Sequence, residues 1–365
     1  MTAEPAPATS ASNRPEGPLR IVAIGGGTGL STLLQGLKPF ARPRGGPGLA
    51  PVPSPLVDIT AVVTVTDDGG SSGRLRRDFK VLPPGDIRNC LVALSEDETL
   101  LSQLFQYRFS SGRGLKGHSF GNLFLTALSN VTGDFPRAVK LSAEVLAIAG
   151  RIYPSTAANV ALEAQLEDGR TVLGETRISR SRSRIRSISL SRKCSPLAET
   201  LAAIAAADLI TLGPGSLYTS LVPNLLVDGI PQAIADSPAV KACFVNLMWQ
   251  PGETIGFTAA DHIAAIQEHA RLKLLDYAIL NTLPISTALL RKYARQKAHP
   301  VENDFDRLLE MGLKVVGRRL LQQNEKIRHD PPAIAAVALE LAAEGRRRAA
   351  TSGQSFRPRA VCETP

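Results

Sequence analysis

Apolar positions recur with two periods along this chain. Short runs in which nearly every residue is apolar or β-branched stand at 21–24, 58–65, 208–212, 240–247 and 276–280. Strands buried on both faces of a parallel sheet have this composition, because neither face meets water. Between them lie longer stretches in which apolar residues return every third or fourth position, as on a helix with one buried face. Such stretches run from 30 to about 37, 87–94, 100–109, 119–131, 134–148, 196–206, 259–270 and, rich in alanine, 333–349. Strands alternating with helices predict a Rossmann-like, doubly wound α/β fold with a mostly parallel sheet. The run at 276–280 reads as its last strand.

The rhythm breaks once. Residues 159–166 and 171–178 flank Asp168-Gly169, the signature of a hairpin turn. Residues 184–190 alternate apolar and polar and supply a third strand, so 152–192 reads as a small antiparallel insert within a domain spanning 19–330. Residues 1–18, rich in Pro, Ala and Ser, read as a disordered tail. Residues 39–55 read as a Pro- and Gly-dense surface loop, and 331–365 as a terminal helix with its tail.

Two strand-to-helix junctions carry candidate chemistry. The first is Gly25, Gly26, Gly27, Thr28 and Gly29; the second is 213–220, with Gly215, Ser216 and Thr219. Glycines let a phosphate approach the backbone, and the amide-rich start of a helix favours an anion. Leu30 stands where a dinucleotide fingerprint needs its third glycine, and no Gly-Lys-Ser/Thr is present, so the turn is neither that motif nor a P-loop. The competing reading is a glycine turn that serves only tight strand–helix packing.

The second strand ends in Asp67 and Asp68, suited to sugar hydroxyls or to Mg²⁺. Arg74 and Arg76 are suited to clamping phosphate. Asp86 is read as a helix cap, with Asn89 in the first turn. His118 lies between glycines before the N-cap Ser119, where it can donate to a phosphate or exchange a proton. Asn122 and Asn246 complete the predicted crevice of Gly26, Gly27, Thr28, Gly29, Asp67, Asp68, Arg74, Asn89, His118, Asn122, Gly215, Ser216 and Asn246. His262 and His269 are read as surface residues.

The 365 residues are 44% hydrophobic, 21% charged and 5% aromatic, a composition suited to a globular enzyme or binding protein. Net charge is +9, concentrated at 180–193, 318–319 and 346–348. This charge suits a nucleic acid, an anionic surface or anionic ligands, but so few aromatics beside it leave base stacking unsupported, so a nucleic-acid partner is not expected. No apolar run is long enough to span a membrane, and the N-terminus lacks a signal pattern, so a cytoplasmic protein without membrane contact is expected. Cys90, Cys194, Cys243 and Cys362 are widely spaced and read as reduced thiols.

Six motifs together resemble one family: GGGTGLS at 25–31, TDDGGSSGRLR at 66–76, PPGDIRNCLVAL at 83–94, GHSFGNL at 117–123, GPGSLYTS at 213–220 and QPGET at 250–254. They resemble the bacterial gluconeogenesis factor family, itself related to 2-phospho-L-lactate transferase of deazaflavin coenzyme synthesis. The resemblance spans about 19–295. It implies a Rossmann-like α/β/α fold, a cytoplasmic homo-oligomer, and a role in cell shape and in growth on gluconeogenic carbon. It also implies binding of a nucleotide sugar such as UDP-N-acetylglucosamine, or of a dinucleotide, with no cofactor required. The transferase branch implies instead an enzyme with Mg²⁺ on Asp67 and Asp68 and His118 in the chemistry. The GGSSGRLR that follows the aspartates is the gluconeogenesis-factor form, whereas Trp249 departs from the family's small polar residue.

Overall fold

The computed structural model describes residues 17–41, 56–95 and 100–351. The strands, in chain order, are β1 (Leu19–Gly25), β2 (Val57–Val63), β3 (Arg151–Pro154), β4 (Leu162–Leu166), β5 (Thr171–Leu173), β6 (Ile185–Leu190), β7 (Leu209–Leu212), β8 (Val240–Phe244), β9 (Tyr277–Asn281), β10 (Lys314–Arg318), β11 (Leu321–Gln323) and β12 (Ile327–His329). Seven of them form one sheet in the order β10-β9-β8-β7-β1-β2-β3, and every neighbouring pair is parallel.

Alternation along β1 shows how that sheet is held. Ile21 and Ala23 face one core, with Leu30, Leu33 and Leu37 of helix α1 (Gly27–Ala41) and with Ile334, Ala338 and Leu341 of the helix Pro331–Thr351. Val22 and Ile24 face the other, with Ile210, Leu212, Ile263 and Ile266. Successive side chains of a strand point to opposite faces, so one apolar run feeds both layers. Each such fully buried Ile or Leu contributes roughly 1.5–3 kcal/mol relative to exposure.

The architecture bears out the doubly wound reading, with differences at its margins. Residues 151–154, placed at the start of the insert by sequence, are β3, the sheet's edge strand beside β2. The insert proper is the antiparallel sheet β5-β4-β6, and its Leu162, Ala164 and Ile188 share the core of the main domain. Its expected second hairpin strand stops at Leu173. β9 is not the last strand: β10 follows and forms the other edge, and β11 and β12 form a separate hairpin. The terminal helix is integral to the domain. Arg346 Nη2 donates to Asp208 Oδ2 at 2.6 Å, and the Arg20 amide donates to the same oxygen at 2.7 Å, tying that helix to the entry of β1 and β7.

His262 is buried, not at the surface, and its Nδ1 lies 2.8 Å from the Thr258 carbonyl oxygen. It shares the inward face of its helix with Ile266, one turn on. Cys90, Cys194 and Cys243 are free thiols. Cys362, residues 1–16, most of the 39–55 loop and residues 352–365 lie outside the described residues. Among the described residues, no helix is long and apolar enough to cross a membrane.

Candidate functional site

From β1 the chain steps to β2 and β3 on one side; from β7 it steps to β8, β9 and β10 on the other. The boundary between β1 and β7 is thus the switch point of the sheet, where a crevice opens at the strands' carboxyl ends. Both glycine turns lie there. A Cβ on Gly29 would fall 2.4 Å from the Pro214 carbonyl oxygen, so the turns meet backbone to backbone. A cleft of about 530 Å³ opens above them, and Gly26, Gly27, Thr28, Gly29, Gly215, Ser216 and Asn246 all line it. The first amides of α1 have no intrahelical acceptor; that of Gly27 donates to Asp86, and the next ones are oriented for an anion.

The facing wall is the loop after β8. Gln250 accepts from the Leu217 amide at 3.3 Å and from Asn246 Nδ2 at 3.2 Å, and its Nε2 donates to Ser216 Oγ at 2.6 Å. Glu253 accepts from the Tyr218 amide and from Thr219 Oγ1, both at 3.1 Å. Burial nevertheless holds its carboxyl above the usual range. Trp249, the departure from the family pattern, donates Nε1–H to the Phe257 carbonyl at 2.9 Å and packs against His299.

A third wall was not foreseen. The β11–β12 hairpin brings Arg328 and His329 to the cleft beside Tyr293, whose hydroxyl oxygen accepts from the Ile327 amide at 3.1 Å. Arg328 is the one Lys or Arg among the described lining residues. Burial depresses the His329 imidazole to about 4, so it is neutral, and its Nε2 has no partner. Strands of three residues carry almost no periodicity, and the only local signal was the polar turn at 324–326.

The remaining predicted residues gather beyond the end of β2, off the cleft lining. Asp67 accepts from the Gly69 amide at 2.8 Å. Asp68 accepts from the amide and hydroxyl of Thr176 at 2.8 and 2.7 Å, so it fastens the insert to β2. Arg74 donates to the Lys116 carbonyl at 2.9 Å and Arg76 to Asn159, so both are engaged by protein. His118 Nδ1 lies 2.9 Å from Ser71 Oγ; burial, then the nearby Arg74 charge, lowers its pKa. Asn89 accepts from Arg88. Asn122 is buried, with Oδ1 unpartnered. Helix α2 (Gly70–Phe79), which follows β2, packs on the helix Phe120–Thr132 and buries Ser71, His118 and Asn122, while Asp67, Asp68, Arg74, Arg76 and Asn89 stay half-buried.

Asp86 bridges the two regions. Pro84, not Asp86, caps the helix Gly85–Leu94. The Asp86 carboxylate instead faces the first glycine turn, and a Cβ on Gly26 would lie 2.6 Å from its Oδ2. Burial, then the Asp67 charge, pushes the Asp86 carboxyl up to about 7, against the Gly27 amide and Arg88, which favour ionisation. Asp67 and Glu175 are also raised, chiefly by burial. Among the described residues no group of three or more His, Cys, Asp or Glu side chains is placed to hold a metal ion. Asp67 and Asp86 are a carboxylate pair, which fits Mg²⁺ only where substrate phosphates and water complete the shell.

Fold and crevice define a doubly wound α/β protein with an anion-suited switch point. More particularly, residues 21–321 match the family described as 2-phospho-L-lactate transferase CofD, and the chain belongs to that family. It is 46% identical over 327 residues to the gluconeogenesis factor of Bacillus subtilis, covering 89% of this chain and 98% of the relative. It is 45% identical over 322 residues to that of Halalkalibacterium halodurans, covering 88% and 95%. A crystal structure of a Bacillus halodurans protein superposes with a TM-score of 0.82 at 44% identity, covering 88% of this chain and 99% of that one.

Proposed function

We propose that the chain is a gluconeogenesis factor that binds a nucleotide sugar of the UDP-N-acetylglucosamine kind as a cytoplasmic regulator of carbon flux and cell shape. The observation that carries this reading is the backbone contact of the two glycine turns at the switch point. It leaves a concave floor built largely of main chain and edged by the hydroxyls of Thr28, Ser216 and Ser220, at the amides that open α1. The diphosphate lies on Gly26–Gly29, with Arg328 supplying the countercharge from the hairpin. The hydroxyls and amides of Ser216, Asn246 and Gln250 face the sugar, and the neutral imidazole of His329 offers a further polar contact. Calorimetric titration with UDP-N-acetylglucosamine, UDP, GDP and NAD tests it. Saturable binding of the nucleotide sugar without turnover is expected, with stabilisation of about 2.7 kcal/mol at about 100 times Kd. Failure of every UDP sugar to bind overturns it.

A second reading, a transferase of 2-phospho-L-lactate type, is favoured by the Asp67–Asp86 pair. Those residues would hold Mg²⁺, which supplies charge neutralisation on a departing phosphate. Mg²⁺-dependent transfer of the phospholactyl group from a lactyl nucleoside diphosphate to the hydroxyl of a flavin-like alcohol, with release of the nucleoside monophosphate, would establish it over the first.

A further inference from the structure

The RSRSRIR run at 180–186 has no part in the crevice, yet it builds a surface of its own. A hollow of about 380 Å³ on the insert is lined by Arg170, Val172, Arg177, Arg180, Ser181 and Arg182. Arg170 is paired with Asp168 at 2.7 Å. Arg177, Arg180 and Arg182 are exposed, and no hydrogen bond or ion pair among the described residues engages their guanidinium groups. Three uncompensated guanidinium groups around one concavity repel one another within the Debye length, about 8 Å at physiological salt. An anion between them reverses the sign of that interaction. Guanidinium forks match phosphate oxygens two at a time, and the Ser181 hydroxyl adds a donor. No aromatic side chain lines the hollow, so nothing there stacks a base.

The wall of this hollow is also a wall of the crevice. In the helix Glu175–Ile178 and the residues after it, Glu175 and Ser179 face the crevice, while Arg177, Arg180 and Arg182 face the hollow. Ile178 anchors the segment in the core, and two contacts tie its polar face to the crevice walls. Asp68 grips Thr176, and the backbone of Gly252, at φ +84°, lies so close to Ser179 that a Cβ there would be 2.1 Å from its carbonyl oxygen. Through Gly252 the segment touches the loop that carries Gln250 and Glu253.

We propose that this hollow is a second anion site, taking a short chain of phosphates, and that filling it orders the 175–182 wall of the crevice. The phosphate chain is either free polyphosphate or the tail of a nucleoside triphosphate. The test titrates tripolyphosphate, ATP, a hexaglutamate peptide and single-stranded RNA into the full chain by calorimetry. The same titrations are run on Arg177→Ser/Arg180→Ser/Arg182→Ser, and on Arg328→Ala as a control in the other cleft. Saturable tripolyphosphate binding is expected, weakened at least about tenfold in the triple variant. The part of the binding that the triple variant loses should persist in Arg328→Ala, which removes only phosphate held in the crevice, and should be accompanied by slower amide exchange over 175–182. Matching ATP affinity assigns the site to a nucleotide tail; ATP exclusion assigns it to free polyphosphate. The replaced side chains are exposed and unpartnered, so the triple variant keeps the wild-type melting midpoint. The proposal falls if tripolyphosphate does not bind, if the triple variant binds it equally well, or if the peptide or the RNA binds more tightly.

Discussion

At the β1/β7 junction two glycine turns meet main chain to main chain, and the floor of the crevice is peptide groups. Beyond the end of β2, side chains set the surface: Asp67, Asp86, His118 and Asn122, packed between helices. The first region has a shape and a floor fixed by van der Waals contact and amide dipoles, neither of which titrates; its titratable walls, Glu175, Glu253 and His329, are shifted toward their neutral forms by burial. The second has a charge state set by burial, with the Asp86 carboxyl pushed up to about 7. A floor of backbone tolerates change of pH and not of volume; a cluster of half-buried acids behaves the other way round.

The hardest blow to the first region is a single methyl group. In Gly29→Ala the new Cβ stands 2.4 Å from the Pro214 carbonyl oxygen, and neither partner is a side chain that can swing aside. Overpacking of this kind costs roughly 1–3 kcal/mol, and here it also prises the two turns apart. Urea unfolding should show that loss, and UDP-N-acetylglucosamine binding should disappear. A variant that keeps both its midpoint and its ligand would show that the turns are not a rigid pair.

Next in size is Arg328→Ala. A charge-assisted hydrogen bond is worth roughly 1.5–3 kcal/mol, so the Kd for the nucleotide sugar should rise about 10- to 100-fold. The melting midpoint of the free protein should stay put, because Arg328 is exposed and no bond from its side chain to another of the described residues holds the fold. An unchanged Kd would remove the hairpin from the ligand site.

How far these regions were legible follows from burial. β1, β2, β7, β8 and β9 are covered on both faces and therefore read as unbroken apolar runs. β3 and β10 sit at the sheet edges; β3 mixes exposed with buried positions and β10 has only exposed and half-buried ones, so the same pattern never forms. The glycine turns could be read because strand, glycine and helix are contiguous in sequence. Arg328, His329 and Tyr293 could not, since a distant three-residue hairpin delivers them. Asp86 has the spacing of a cap and its actual orientation is tertiary. His262 looked like a surface residue because a polar side chain on a helix usually is, but its register with Ile266 buries it.

The second region is probed by Asp86→Asn. The folded Asp86 carboxyl titrates near 7, against an ordinary value of 3.8. Between those values the folded chain keeps a proton that the unfolded chain has released, so stability declines as pH rises through the window and is level above it. The amide cannot ionise, so the variant should match wild type at about pH 4 and exceed it by roughly 1–2 kcal/mol at about pH 8. Urea midpoints at the two pH values decide this. Equal stability of variant and wild type across the range would mean that Asp86 carries no strained charge.

The smallest effect should come from His118→Gln, and its smallness is informative. His118 Nδ1 is engaged by Ser71 Oγ at 2.9 Å, and the imidazole is off the lining of the crevice. Burial and the Arg74 charge hold its pKa below the ordinary value, so it is neutral at physiological pH and brings no charge to a phosphate. Glutamine keeps a hydrogen-bonding group near Ser71, so the loss of stability should stay within about 1 kcal/mol. If the crevice binds its ligand as an independent backbone-built unit, the nucleotide-sugar Kd should change by less than about twofold, corresponding to roughly 0.4 kcal/mol. A much larger rise in Kd with the melting midpoint unchanged would join the two regions into one site. In that case the side chains beyond β2, and not the glycine turns alone, would define what the protein recognises.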